Sequence, residues 1–152
     1  MVIVGVGIVY SYLNNNQISV KQDEVTKVIS DIREEYKKAN SDTNLIVIEK
    51  DLTGLSTEGG VLLSYYDKNM NLKKAVINFY GEMGKRVIEY YYKNRKLIFC
   101  FQQQVHYNQT IYIEGFEIDK IEENRYYFYN QNLIKWTDST KVNRDISNRN
   151  LA

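Results

Sequence analysis

The chain has 152 residues, of which 43% are hydrophobic and 13% aromatic. That length suits one folded domain with a single core, and the composition excludes a chain that is disordered throughout. Twenty Lys and Arg residues against nineteen Asp and Glu leave a net charge of +1, which excludes a strong overall field for DNA or anionic lipid. Cys100 is the single cysteine, so an internal disulfide and a cysteine-rich zinc site are excluded as well.

The first segment, MVIVGVGIVYSYL at 1–13, is apolar. A membrane-spanning helix needs about 20 residues, whereas the core of a secretory signal has roughly 7–15 apolar residues. Because no Lys or Arg precedes the apolar run, we interpret 1–13 as the remnant of a signal or anchor. A buried strand over Val2–Val9 is the alternative, since the run is rich in β-branched residues. A polar linker is predicted over 14–19.

The next segment has the periodicity of a helix. Apolar residues recur at i, i+3, i+4, i+7 and i+11 and so form one stripe; they are Val25, Val28, Ile29, Ile32 and Tyr36. Ser19 followed three positions later by Gln22 is typical of a helix N-cap. The pattern predicts an amphipathic helix over about 20–39 whose stripe packs on a sheet.

After this helix the pattern becomes that of strands, from Leu45–Ile48 onward, with the glycine-bearing TGLSTEGG as a loop. One motif then occurs three times, as YYDKNMNL (65–72), YYYKNRKL (90–97) and YYFYNQNL (126–133). Asn tolerates the positive φ of tight turns, so each copy predicts a hairpin in which one Tyr ring points inward and one outward. The turning residues are Asn69, Asn94 and Asn130.

These hairpins also predict a register. A turn centred on Asn94 and Arg95 places Tyr92 opposite Leu97, Tyr90 opposite Phe99 and Ile88 opposite Phe101, all on the core face. The third copy pairs Phe128 with Leu133 and Tyr127 with Ile134, and Gly81 with Gly84 marks a further turn. The predicted fold is therefore α+β, with one N-terminal amphipathic helix packed on a curved antiparallel β-meander of six to eight strands.

The second Tyr of each copy provides the candidate site. Tyr66, Tyr91 and Tyr127 occupy matching positions, and outward tyrosine rings can stack on a sugar or anchor a protein partner. The alternative is that these rings are buried under the helix or against another chain. We predict Tyr66, Tyr91 and Tyr127 as the ligand-binding residues.

The repeats carry a resemblance to a class of proteins. Strings of the type YYFxNxKL followed by KLI or NLI, over about residues 60–136, resemble those of small bacterial envelope and lipoprotein-like proteins of unassigned activity with Tyr-rich hairpin repeats. The resemblance implies a β-meander domain and an exported setting, and it transfers no catalytic residue. The chain departs from the pattern in lacking a lipidation cysteine near 1–13 and glycine in the repeat turns.

Catalytic chemistry has few candidate residues. Cys100 and His106 lie six residues apart, which is roughly 20 Å along a continuous strand, so they do not form a nucleophile pair there. A carboxylate pair within 114–123 is the alternative, as in a small enzyme that acts on glycosides, although these residues also fit a solvated acidic face. The acidic residues are Glu114, Glu117, Asp119, Glu122 and Glu123.

Basic residues between tyrosines raise the possibility of single-stranded nucleic acid, as on aromatic sheet faces. They are Lys85, Arg86, Lys93, Arg95 and Lys96. Nucleic acid is disfavoured, because half of the rings are needed for the core and the cations fall at turns.

The sequence thus predicts a non-enzymatic binding module of the bacterial cell envelope that recognises a protein or glycan through an aromatic sheet face. No cofactor and no metal ion are expected. Membrane association would run through 1–13, and a cytoplasmic location is the alternative to export. The single domain is predicted over 20–136, and 137–152 form a polar C-terminal tail.

Overall fold

The computed structural model describes residues 22–143. The predicted signal or anchor remnant, the linker, the Ser19 cap and the end of the tail from 144 therefore lie outside the described residues. Within 22–143 one helix precedes a single sheet of seven antiparallel strands. The predicted α+β fold, with one helix on a β-meander of six to eight strands, is confirmed.

The elements follow the chain without a crossover, because the strand order in the sheet is the sequence order. Helix α1 spans Gln22–Ser41, close to its predicted bounds. The strands are β1 (Ile46–Asp51), β2 (Gly60–Tyr66), β3 (Leu72–Gly81), β4 (Gly84–Lys93), β5 (Lys96–Tyr107), β6 (Ile118–Tyr129) and β7 (Asn132–Asp138). Strand β7 thus extends two residues into the predicted tail, where Thr137 is buried and also bridges to Asn143.

Helix α1 packs through its apolar stripe on one face of β4, β5 and β6. Ile29 and Ile32 are buried against three aromatic residues that lie side by side in register on those strands. The three are Tyr91, Phe99 and Tyr127, with ring centroids 5.7 Å apart between the first two and 4.9 Å between the last two. Aromatic rings at such separations contribute beyond their buried area, so this cluster is the core of the domain.

Two of the repeats form the tight turns that their asparagines predict. Asn94 and Arg95 have φ of 51° and 63°, and Asn130 and Gln131 have φ of 47° and 68°. Positive φ at both central residues defines a type I′ turn, whose twist matches that of the flanking strands. The prediction of Asn-centred hairpins is confirmed for the second and third copies.

The first repeat turns differently, because five residues separate its strands. Met70, and not Asn69, takes the positive φ of 59°. The carboxylate of Asp67 organises this connection by accepting the backbone N–H groups of Asn69 and Asn71, each at 2.9 Å. Lys73 Nζ lies 3.3 Å from the second carboxylate oxygen. A side-chain acceptor thus replaces the local turn that Asn forms in the other two copies.

Asp67 is expected to contribute to the loss of folding stability at low pH. Hydrogen bonds lower the pKa of Asp67 from 3.8 to about 2, although desolvation acts in the opposite direction. The largest effect comes from the Asn71 backbone, followed by the Asn71 side chain, the Asn69 backbone and Lys73. A lowered folded-state pKa means that the contribution of Asp67 to stability is complete above about pH 4 and is lost as the pH falls through about 2. Carboxyl NMR titration of folded protein should give this low midpoint; a midpoint near 4 would contradict the turn geometry.

A β-bulge follows each type I′ turn. Tyr92 pairs with Leu97 and Phe128 with Leu133, as predicted, but beyond these pairs one extra residue enters the outgoing strand. Ile98 is the extra residue in the second copy, so Phe99 pairs with Tyr91. Two residues opposite one are the mark of a bulge, and the insertion exchanges the faces of all later pairs.

The register predicted beyond the bulges is therefore wrong. Phe99 does not face Tyr90, and Phe101 faces Glu89 where Ile88 was expected. In the third copy Tyr127 pairs with Lys135 and not with Ile134. The predicted core face of β4 and β5 was consequently a mixture of the two faces of the sheet.

Candidate functional site

The structure buries two of the three predicted site residues. Tyr91 is 1% exposed and Tyr127 is 6% exposed, both beneath α1. The prediction that these rings point outward is wrong, because Tyr91 and Tyr127 both pair with the core residue Phe99 on the face that α1 covers. A register shift lies between Tyr65 and Tyr66 on β2. Tyr66 points to the same face as Ser64, which is the face opposite the helix. The three residues therefore do not form one site.

The Tyr91 hydroxyl belongs to a partly buried polar network. It accepts a hydrogen bond from Asn40 Nδ2 at 3.0 Å and donates one to the Glu89 carboxylate. Asn40 Oδ1 in turn accepts from Lys74 Nζ at 2.6 Å. Burial, then the acceptor on Glu89, raises the pKa of Tyr91. These contacts join the end of α1 to the sheet and serve the fold.

The opposite face of the sheet is the candidate site. We call it the uncovered face, because among residues 22–143 no helix or strand packs on it. Cross-strand pairing aligns one row of residues there. From β4 to β7 the row consists of Tyr90, Cys100, Tyr126 and Trp136, three of which are aromatic, and it continues through Ala75 on β3 and Ser64 on β2. The tyrosines of this face are the first of each pair in the second and third repeats, the opposite of the prediction.

A groove of about 700 Å³ lies beside this row, towards the end of the sheet where β5 leads into β6. Its volume falls in the range of small-molecule sites. Its lining from the uncovered face includes Arg86, Gln102, Gln104, Glu122, Asn124 and Trp136. Side-chain amides dominate this set, and each amide offers both a hydrogen-bond donor and an acceptor.

Trp136 is the aromatic residue of the groove lining, and Tyr126 lies beside it outside the lining. Their rings are stacked, with centroids 5.9 Å apart and planes 18° apart. The indole Nε1–H of Trp136 donates to Asn124 Oδ1 at 2.9 Å, which fixes the orientation of the indole and of the amide. The groove therefore combines a fixed aromatic surface with fixed polar groups.

Sequence reasoning missed this site. The available signal was the run of three amides at 102–104 in the middle of an otherwise apolar strand, together with the single tryptophan of the chain. Three glutamines are unusual residues for a strand that was expected to be core. Only the register, however, aligns Gln102 with Asn124 and Tyr126 with Trp136.

A charged cluster lies at the far end of the same face. Glu122 accepts a hydrogen bond from Lys120 Nζ at 2.6 Å and lies 3.0 Å from His106 Nε2. The hydrogen bonds from Lys120 and then His106 lower the pKa of Glu122. The arrangement keeps this carboxylate ionised and paired.

Cys100 and His106 both lie on the continuous strand β5, as predicted. Cys100 is buried within the row of the uncovered face, and this burial raises the pKa of the thiol to about 12. A catalytic cysteine needs the opposite shift, toward the thiolate. The interpretation of Cys100 as a sheet residue is confirmed.

The thiol is accordingly expected to react slowly in the native state. Because only the thiolate attacks a disulfide reagent, Ellman's reagent should modify Cys100 at neutral pH only as fast as the domain opens. In denaturant the reaction should proceed at the rate of a free cysteine. Equal rates in the two conditions would contradict the burial of Cys100.

The acidic stretch does not converge on one point. Glu114 and Glu117 lie exposed in the connection before β6. Glu122 and Glu123 are consecutive on β6 and therefore point to opposite faces. Glu123 pairs with Arg125 at 2.5 Å, beside Gln103. Within 22–143 no group of three or more His, Cys, Asp and Glu side chains is placed to hold a metal ion.

The basic residues are divided between the two ends of β4. Arg86 lies near the start of the strand and Lys93 at its end, which separates them by roughly 23 Å at 3.3 Å per residue. Lys96 pairs with Lys93 beside the turn. The continuous basic strip that single-stranded nucleic acid requires is not formed by these residues.

No helix within the described part of the chain is long and apolar enough to span a membrane. Comparison of the chain with protein-family models, with curated proteins and with solved structures found no match.

Proposed function

We propose that the protein is a non-enzymatic binding module that recognises a glycan through the groove of the uncovered face. The observation that carries this proposal is the position of Trp136, which stacks on Tyr126 and lines the groove together with the side-chain amides of Gln102, Gln104 and Asn124. The proposal keeps an aromatic sheet face as the binding surface, as predicted from the repeats. It uses the face opposite to the one that holds Tyr91 and Tyr127.

The chemistry of the groove suits an uncharged, hydroxyl-rich ligand. Aromatic rings offer an apolar body to the C–H faces of a sugar, and amides can both donate to and accept from its hydroxyl groups. Gln102 and Asn124 are paired neighbours on β5 and β6, next to the aromatic row. A ligand lying along β5 and β6 would contact the aromatic row and the amides together.

The non-enzymatic part of the proposal is supported by the state of the groove carboxylate. Glycoside hydrolysis needs one carboxylic acid whose pKa is raised, so that it can protonate the leaving group. The pKa of Glu122 is lowered, and its oxygens are engaged by Lys120 and His106. Glu123, its neighbour, lies on the other face.

The envelope setting is proposed from the repeat resemblance and from the apolar stretch 1–13. Cell-wall glycan is then the natural ligand class. Fractionation of the native host, with intact mass and N-terminal sequence of the recovered protein, tests this setting. Recovery from the cytosol with residues 1–13 intact would contradict it and would favour the cytoplasmic alternative.

Trp136 makes binding directly measurable, since it is the only tryptophan of the chain. Titration with soluble cell-wall saccharides, namely N-acetylglucosamine oligomers and muropeptides, should give a saturable change in its emission. The double variant Gln102→Ala with Arg86→Ala removes groove contacts without touching the rings. It should weaken binding by about tenfold or more, as expected for loss of one or two good hydrogen bonds.

A matched control variant removes one Gln and one Arg that lie outside the groove. Gln109→Ala with Arg33→Ala removes the same two side-chain types, from the β5–β6 connection and from α1. This variant should bind like the wild type. No emission change with any of the saccharides, or equal loss in both variants, would contradict the glycan proposal.

A further inference from the structure

A second surface lies at one end of the sheet. It is built from three connections, 52–59 between β1 and β2, 82–83 between β3 and β4, and 108–117 between β5 and β6. We call these three segments the loop end. Because successive strands are antiparallel, the three connections emerge at the same end, away from the type I′ turns.

Hydrogen bonds join the three connections into one surface. The Tyr112 hydroxyl donates to Glu58 Oε1 at 2.6 Å, which links the first connection to the third. The backbone N–H of Ile111 donates to the Glu82 carbonyl at 3.0 Å, and that of Tyr107 to the Met83 carbonyl at 2.9 Å. The loop end therefore presents a preorganised surface rather than three separate loops.

This surface exposes large apolar side chains. Leu55 and Tyr112 are each 66% exposed, Met83 is 53% exposed and Ile113 is 51% exposed. Phe116 is 42% exposed and stands 5.1 Å from the ring of Tyr107. Single exposed apolar residues are ordinary, but a group of them on one surface marks an interaction site. Tyr and Met are also the residue types enriched at the centres of protein interfaces.

The charged side chains within the loop end are all negative. The three connections contain four carboxylates, and no Lys or Arg lies within them. The four are Glu58, Glu82, Glu114 and Glu117. Charges of both signs flank the connections, namely Lys50, Lys85 and Lys120 and the carboxylates of Asp51 and Asp119; Lys120 is engaged with Glu122. This excess persists although the whole chain has a net charge of +1, so the negative field is local.

We infer that the loop end docks a protein partner whose surface has an apolar centre and a basic rim. Tyr112 is the anchor, since its ring is exposed while its hydroxyl is held by Glu58, and little side-chain entropy is lost on binding. The carboxylates select a cationic partner and disfavour an anionic membrane surface. The groove and the loop end lie towards the same end of the sheet, but no residue of the three connections lines the groove, so the two sites are built from different residues.

Site-specific crosslinking in the full chain tests this inference. A photoreactive phenylalanine derivative replaces Phe116 in cells of the native host, which leaves the Tyr112 anchor and its hydrogen bond to Glu58 in place. The same replacement at Met70 is the control. Met70 is also apolar and is 55% exposed, but it lies at the opposite end of the sheet. The expected result is a crosslink to one protein from position 116 and none to that protein from position 70.

The identified protein is then purified and its affinity is measured. Leu55→Ser with Ile113→Ser, and separately Glu114→Lys with Glu117→Lys, should each weaken binding by about tenfold or more, and added salt should weaken wild-type binding. Circular dichroism and the melting temperature show that these surface variants are folded. Crosslinks to lipid only, to a second copy only or to nothing, or an affinity that neither variant changes, would overturn the inference.

Discussion

Replacing Tyr91 by alanine is expected to lower the free energy of unfolding by about 3–5 kcal/mol, the range for truncating a large buried aromatic residue. Tyr91 is 1% exposed and contacts Phe99 and Tyr36 at ring-centroid distances of 5.7 and 4.8 Å. The change leaves a cavity beneath α1 and removes the hydrogen-bond partner of both Asn40 and Glu89. A loss of this size is a large part of the stability of a small domain.

Two matched variants separate the contributions to that loss. Tyr91→Phe keeps the ring and removes only the hydroxyl, so about 1–3 kcal/mol should be lost with its hydrogen bond to the Glu89 carboxylate. Tyr112→Ala deletes the same side chain at a position that is 66% exposed, and it should cost less than about 1 kcal/mol. Urea unfolding with unchanged m-values measures all three. If Tyr91→Ala unfolds at the wild-type midpoint, the burial of Tyr91 beneath α1 is refuted.

The second large effect is expected for Gly84→Ala. A Cβ added to Gly84 would lie 2.1 Å from the Val105 carbonyl oxygen, far inside any real contact. Val105 is 2% exposed, so β5 has little room to move away. The clash would also disturb the hydrogen bond from Tyr107 to Met83. We expect a loss of about 3 kcal/mol or more, at the upper end for overpacking.

Gly81→Ala is the control for the same turn. Gly81 is the partner of Gly84 across the hairpin, and its added Cβ would meet the Gly84 carbonyl oxygen at 3.3 Å. A shift of a few tenths of an ångström relieves that contact, so the loss should be clearly smaller than for Gly84→Ala. Thermal unfolding of both variants decides the matter. A tolerated Gly84→Ala would mean that β4 and β5 are farther apart than described.

Gly81 and Gly84 also show which features could be predicted from the sequence. Their spacing predicted a turn, and the turn is there. Nothing in the sequence distinguished the glycine that must be a glycine from its partner. That difference arises from a strand 22 residues further along the chain, as His106 pairs with Gly84, and local patterns carry no information on such an approach.

At the candidate site, too, the sequence did not predict which residues face each other. The repeats predicted that one tyrosine of each pair faces the core and the other faces a ligand. The bulge at Ile98 pairs Phe99 with Tyr91, where Tyr90 was expected. Helix α1 packs on the face of that pair, so Tyr91 is buried and Tyr90 lies on the uncovered face. Because strand side chains alternate with a period of two, one inserted residue reverses every later assignment. The same reversal separates Tyr127 from Tyr126.

Local sequence patterns were sufficient to predict the elements and their order. The apolar stripe of α1, the Asn-centred turns and the short connections are local signals, and hydrogen bonding within a few residues enforces them. An antiparallel meander then follows, because strands joined by tight turns can only pair with their neighbours. These predictions needed no knowledge of distant residues.

The face that each strand presents, and what that face can bind, depend on contacts between distant parts of the chain. The groove collects Arg86, Gln102, Asn124 and Trp136 from four strands, and the loop end collects exposed apolar residues from three connections. Their alignment depends on bulges, and a bulge without glycine has no clear sequence pattern. The physical reason is that a bulge is stabilised by packing against α1 and the neighbouring strands, which form only when the whole sheet does.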